Sequence, residues 1–355
     1  MKFYQALQLN PGDLKNAIRT SPEKKDKRRL QFAMLIRAIL IVIFSIVMIA
    51  PISALFGEEN NAVGVALVCI VLSIRFVDFG YCIKDSLINL AVTFLLLWGA
   101  PMLAAFVHPI LSVLVHFSAL FIIFLMTSEQ PEMGNGGLYA FSYIFLAGNP
   151  VSGELFYKRG ILFLLGFLLC GAILYGKHRS KNPKIRFSQL VKSFHLSDKK
   201  CQWQLQFALG ISLLMAVGTI LHVERLMWAG FACASLLGCY SSTTDAKMQT
   251  KERFDQRIFG AAAGSILFAI IYTVVPQNLH FLFGPVGGIC LGFCTDYRHK
   301  TVLNCFGALM LAAGLYGLEG SVLLRITNNL LGAAFGYAFF VVYQKIMERN
   351  FTSKA

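Results

Sequence analysis

Acidic side chains are scarce in this chain: 18 Asp and Glu stand among 355 residues, against 32 Lys and Arg. Charged residues of both signs make up only 14% of the sequence, where a soluble protein carries roughly 25%. That shortage excludes an ordinary water-soluble domain and any acidic, disordered tail. Several short signatures are missing as well. No Walker loop is present to cradle ATP phosphates, so the chain does not power a pump by itself. It has no His-Glu-x-x-His zinc pair and no Gly-x-Ser-x-Gly nucleophile elbow, so no familiar enzyme site emerges. The nine Cys are scattered singly. Cys290 and Cys294 alone are one helical turn apart, and both lie in an apolar run, so the cysteines read as small buried hydrophobes. No metal and no cofactor is expected.

What remains is apolar: 56% of residues are hydrophobic and 31 are Phe. The first long apolar run has no cleavage site behind it and is read as a retained span. A membrane helix needs about 20 apolar residues, with shorter ones tolerated inside a bundle. Twelve segments fit, near 31–55, 62–79, 86–100, 102–126, 138–148 and 155–176 in the first half. In the second half they fall near 205–222, 226–241, 257–275, 279–295, 301–318 and 321–345. The expected fold is an all-α polytopic bundle of about twelve spans, some short or broken.

The two halves echo each other. Gln31-Phe32-Ala33-Met34 opens one apolar stretch and Gln206-Phe207-Ala208-Leu209 another, 175 residues later. Arg159 is followed by Gly166 seven residues on, and Arg325 by Gly332 at the same spacing. Two tandem six-span repeats follow from this pairing, a common plan for transporters. The expected division is a basic segment 1–30, a first repeat 31–176, a basic linker 177–204, a second repeat 205–345 and a tail 346–355.

The positive charge collects between spans. Eight Lys and Arg lie in residues 1–30, eight in 177–200 and three in the last twelve residues. Basic loops stay on the cytoplasmic side, so both termini and the linker are placed there and each half crosses an even number of times. Membrane lipids are expected partners of these segments. No aromatic-and-basic module accompanies the charge, so nucleic acid is not an expected partner. Within the linker, the stretch Phe187 to Phe194 is patterned for an amphipathic surface helix.

Charged groups inside spans are costly and so mark candidate sites. Arg75, Arg159, Arg257 and Arg325 are the candidates for attracting an anionic substrate. Arg37 reads as a snorkelling residue near a span end. His108, His116, Asp78 and Asp245 are the candidates for carrying a coupled proton, histidine because its pKa lies near neutrality. Gly260 and Gly264, then Gly284, Gly288 and Gly292, then Gly332 and Gly336 recur at four-residue spacing, the pattern of close helix packing. Trp98, Trp203 and Trp228 sit near predicted span ends and read as interface anchors.

Arg257-Ile258-Phe259-Gly260 with Gly264 resembles the signature of the fusaric acid resistance and aromatic acid exporter superfamily. Leu226-Met227-Trp228-Ala229-Gly230 is similar to that family's Tyr-Trp-Ala segment, and Arg325 to Gly336 to its closing helix. The resemblance covers residues 30–345 as two modules. It implies a bacterial cytoplasmic-membrane protein that exports small aromatic or other organic anions, with no enzymatic role. Plant malate channels look like distant relatives, which keeps an anion channel in view. The chain departs from the pattern at Gly260-Ala261, where the family has Gly-Thr. Ile83-Lys84-Asp85-Ser86 stands where the first half would carry the motif, and there is no room for the soluble helical domain many members carry.

Three readings follow: a proton- or gradient-driven exporter of organic anions, an anion channel, and a non-transporting membrane scaffold. A homodimer fits the first two. The expected site lies between the two repeats, with Arg159 and Arg325 as its equivalent residues.

Overall fold

The computed structural model describes residues 3–241 and 246–351. Among these residues the chain is helical throughout and contains no strand. The order is α1 (Phe3–Gln8), α2 (Pro11–Thr20), α3 (Lys24–Phe56), α4 (Asn61–Ile74), α5 (Ile83–Phe106), α6 (Pro109–Thr127) and α7 (Asn135–Ala147). It continues with α8 (Glu154–His178), α9 (Phe187–Lys192), α10 (Lys199–Ile220), α11 (Leu226–Leu237), α12 (Ala246–Val274), α13 (Phe283–Leu291) and α14 (Tyr297–Phe351).

Eleven of the twelve apolar segments each centre on one of these helices, and 102–126 is divided between the end of α5 and α6. Seven helices are long and apolar enough to cross a membrane. One of them, α14, holds two of the segments. It is interrupted at Gly317, whose φ of 69° and ψ of 174° are not helical. A positive φ of this kind favours a residue without a Cβ, so the glycine sets the break between the two arms of α14.

Backbone chemistry also moves one boundary. The sequence puts His108 and Pro109 inside a span, but α5 runs on to Phe106 and α6 starts at Pro109. Proline lacks the N–H that a helix interior needs and is tolerated at the first helical position. His108 is the N-cap, and its ring nitrogen accepts from the Ile110 N–H at 3.3 Å. His108 is therefore an exposed loop residue between two helices.

The chain divides into two compact units that do not follow the sequence halves: Met1–Val47 with Asp255–Asn329, and Met48–Phe254 with Leu330–Ala355.

In the second unit α10 is enclosed, packing against α6 and α11. Where the two halves meet here, the seam is filled with rings. Phe124 stacks on Phe207 with centroids 4.6 Å apart, and Phe141 meets Phe231 at 5.0 Å. Gln204 donates across the seam to the carbonyls of Phe124 and Ser128. Trp203 and Trp228 belong to this core. The expectation that they anchor a membrane interface is corrected: Trp203 packs under Phe124 and donates its indole N–H to the Leu237 carbonyl at 3.0 Å.

The short helices α4 and α11 explain the paired Arg-x6-Gly pattern. At 14 and 12 residues they are shorter than the about 20 needed to span the hydrocarbon, and most of their residues are buried by neighbours. Gly166 of α8 packs on Leu67 of α4, and Gly332 of α14 packs on Ala229 of α11. The glycine seven residues after each arginine thus seats a long helix on the short helix of its own half.

One end of this unit is tied to the linker. Asp78 accepts from Asn182 at 3.0 Å and lies 3.6 Å from Lys181; Asp85 pairs with Arg186 at 2.9 Å; Glu129 pairs with Lys200 at 2.8 Å. The Asp85 hydrogen bond raises the Arg186 guanidinium above its already high pKa. The predicted surface helix is the short α9, and its flanking rings dock onto the bundle, Phe187 on Tyr81 and Phe194 on Phe121.

In the first unit, α1 and α2 fold back on the start of α3 around Ala6, Leu14, Leu30 and Ala33. The α13 helix packs on α3, with Gly292 against Ala38 and Gly288 against Val42. Phe268 is fully buried between Phe283 and Phe306.

Candidate functional site

The strongest concentration of buried polar groups in the first unit grows out of one helix face. Arg257, Gly260, Ala261 and Gly264 recur on α12 at three- and four-residue steps, so they share a face. The two glycines let that face meet the first arm of α14. A Cβ at Gly260 would lie 2.7 Å from Thr301, and one at Gly264 would lie 2.8 Å from the Val302 Cα. Cys305 closes the contact with Sγ–H toward the Ala261 carbonyl, 3.7 Å away. The Arg-Ile-x-Gly signature thus pairs a cation with the glycine that lets the neighbouring helix come close.

Arg257 is 7% exposed. Its Nε donates to Asn329 Oδ1 at 2.9 Å, and its Nη1 donates to the Tyr297 hydroxyl at 3.3 Å. Its Nη2 is buried and has no hydrogen-bond partner among the described residues. Asn329 in turn donates to the Arg325 backbone carbonyl at 2.7 Å, one turn back on the same helix, which holds its amide oxygen toward Arg257. Arg325 is 4% exposed and lies within electrostatic reach of Arg257. Arg257 is bound by neutral groups, a side-chain amide and a phenol. A buried cation with an unused donor is costly unless a counter-charge completes it, and a second guanidinium within electrostatic reach adds to the positive potential there.

The other described candidates belong to the second unit. Arg159 is fully buried, with Nε on Asn60 Oδ1 at 2.9 Å and Nη2 on the Glu59 carbonyl at 3.1 Å. It ties the start of α8 to the turn before α4. Arg75 lies over the Phe76 ring at 5.3 Å, at the end of α4. Asp78 is held by the linker, as described above. His116 is buried on α6, with Nδ1 2.9 Å from the Tyr143 hydroxyl. Asp245 lies outside the described residues. Among the packing glycines, Gly260, Gly264, Gly288, Gly292, Gly332 and Gly336 each face a close neighbour. Gly284 does not: a Cβ there would meet no heavy atom within 4 Å, because it sits in the first turn of α13. Among the described residues, no group of three His, Cys, Asp or Glu is placed to hold a metal.

Asn329 and Tyr297 were missed by the sequence reading. The only available signal for Asn329 was its place four residues after Arg325, on the same helix face.

Fold and site together define a polytopic, all-helical membrane protein with a buried cationic cluster. Residues 213–339 match the family model described as fusaric acid resistance protein-like. The matched segment contains Arg257, Gly260, Gly264, Arg325, Gly332 and Gly336, so the resemblance carried by those residues is borne out there. A match of this kind points to a membrane transporter. No curated protein and no solved structure matches the chain.

Proposed function

We propose that this protein is a secondary exporter of small organic anions, aromatic carboxylates among them. It works in the bacterial cytoplasmic membrane with both termini on the cytoplasmic side, driven by a proton or substrate gradient. The observation that carries this reading is the buried Arg257, whose Nη2 lacks a hydrogen-bond partner among the described residues and which lies within electrostatic reach of buried Arg325. A carboxylate oxygen arriving at that nitrogen supplies both the missing acceptor and the missing counter-charge. The match of residues 213–339 supports the transporter class. Of the three described proton candidates, His116 is the one buried inside a long helix and hydrogen-bonded to a neighbouring helix, so it is the proposed proton carrier.

The test is flux of an aromatic carboxylate from proteoliposomes holding the full chain. Arg325→Ala is expected to lower the flux at least about tenfold, the effect of roughly 1.4 kcal/mol lost from the site. Unchanged flux removes Arg325 from the site. A second reading, a non-transporting scaffold, draws on the ring-filled seam between the halves. It expects no flux above empty liposomes for the unaltered protein.

A further inference from the structure

The linker helix α9 is suspended from α5 by its N-terminal end. Asp85 Oδ2 accepts both the Phe187 N–H and the Arg186 Nε–H, each at 2.9 Å. Phe187 then packs on Tyr81 with centroids 5.3 Å apart. Between α5 and α9 lies a groove of about 490 Å³, lined by residues of both helices. That volume falls within the range of small-molecule sites, about 300–1,000 Å³.

Two chemistries line the groove. Ile88 on α5 is 62% exposed and Val191 on α9 is 47% exposed, giving apolar walls. Arg186 and Lys192 supply the basic rim, and exposed Lys84 stands one helical turn before Ile88. Asp85 is the acidic lining residue, and its carboxylate is already engaged with Arg186. Lys84 and Lys192 therefore set the sign of the rim. The apolar wall does not stop at the groove. Ile88 begins an exposed stripe that continues through Leu95, Leu103 and Phe106 along α5, the surface that lipid chains cover in a membrane helix. Free phosphate would leave these walls bare, whereas a lipid satisfies wall and rim together.

We propose that this groove seats one anionic membrane phospholipid, its phosphate against Lys84, Arg186 and Lys192 and one acyl chain along Ile88 and Leu95. The lipid fills the groove and fastens the linker to the bundle. The proposal is independent of the arginine cluster and of transport.

The test uses the purified full chain in detergent, titrated with phosphatidylglycerol, phosphatidylcholine or inorganic phosphate while the thermal unfolding midpoint is followed. Phosphatidylglycerol is expected to raise the midpoint at concentrations where phosphatidylcholine and inorganic phosphate do not. In the Lys84→Gln/Lys192→Gln double variant the phosphatidylglycerol titration is expected to weaken about thirtyfold, from about a fivefold effect for each lysine near a lipid surface. Both lysines are exposed, so the variant keeps its fold, and its midpoint without lipid checks this. Ile88→Asn is expected to weaken the same titration without changing net charge. The proposal is overturned by equal shifts with the two lipids, by inorganic phosphate reproducing the shift, or by the double variant keeping the full phosphatidylglycerol preference.

Discussion

Arg257 and Asn329 are joined side chain to side chain, the guanidinium Nε donating to the amide oxygen at 2.9 Å. The same amide donates to the Arg325 backbone carbonyl, four residues back on its own helix, so its oxygen is held toward Arg257. This choice of residue keeps the cluster positive. A carboxylate in the same position would complete the cations internally and leave nothing for a ligand to do.

Arg159 is expected to behave differently from Arg257 although the sequence pairs it with Arg325. Two of its donors are used on Asn60 and the Glu59 carbonyl. Arg159→Met orphans those acceptors at a cost of about 1–3 kcal/mol each. Thermal unfolding should fall by several degrees, while the affinity of the folded fraction for an aromatic carboxylate stays unchanged. A selective loss of affinity with normal stability would place Arg159 in the site.

The two equivalent glycines should differ in how far they tolerate a methyl group. At Gly332 an added Cβ overlaps the Ala229 backbone, whereas at Gly166 it overlaps the Leu67 side chain, which has other rotamers. Gly332→Ala is expected to cost about 1–3 kcal/mol as an overpacked site, and Gly166→Ala less. Side-by-side melting curves in detergent check the order.

His116 and Tyr143 form a buried pair between α6 and α7. If His116 carries the coupled proton, His116→Gln abolishes flux driven by a pH difference and spares flux down a substrate gradient. Equal loss of both modes would assign His116 to packing.

Much of the fold is legible in the sequence because lipid imposes length and hydrophobicity on a span. The apolar segments lie on helices for that reason, including the short 226–241 stretch on α11, while seven helices have the length and apolarity of a span. Neighbours are not encoded so directly. Trp203 looks like an interface anchor by position, yet it is a core ring because α10 is enclosed by α6 and α11. His108-Pro109 looks like a kink within a span, but proline and the N-cap geometry make it a boundary. The site was legible in part. Arg257 and Arg325 stood out as charges in apolar runs. Asn329 did not, because an amide in an apolar run is unremarkable until its two neighbours are in place.

The most direct measurement is aromatic carboxylate flux through proteoliposomes containing the Asn329→Asp variant. The substitution keeps the size and one acceptor oxygen of the amide, adds a negative charge beside Arg257 and removes the donor to the Arg325 carbonyl. We expect flux to fall at least about tenfold, equivalent to about 1.4 kcal/mol, with stability lowered by no more than the lost hydrogen bond contributes, about 1 kcal/mol. Flux equal to that of the unaltered protein, with the variant correctly folded, would contradict the assignment of this cluster as the anion site.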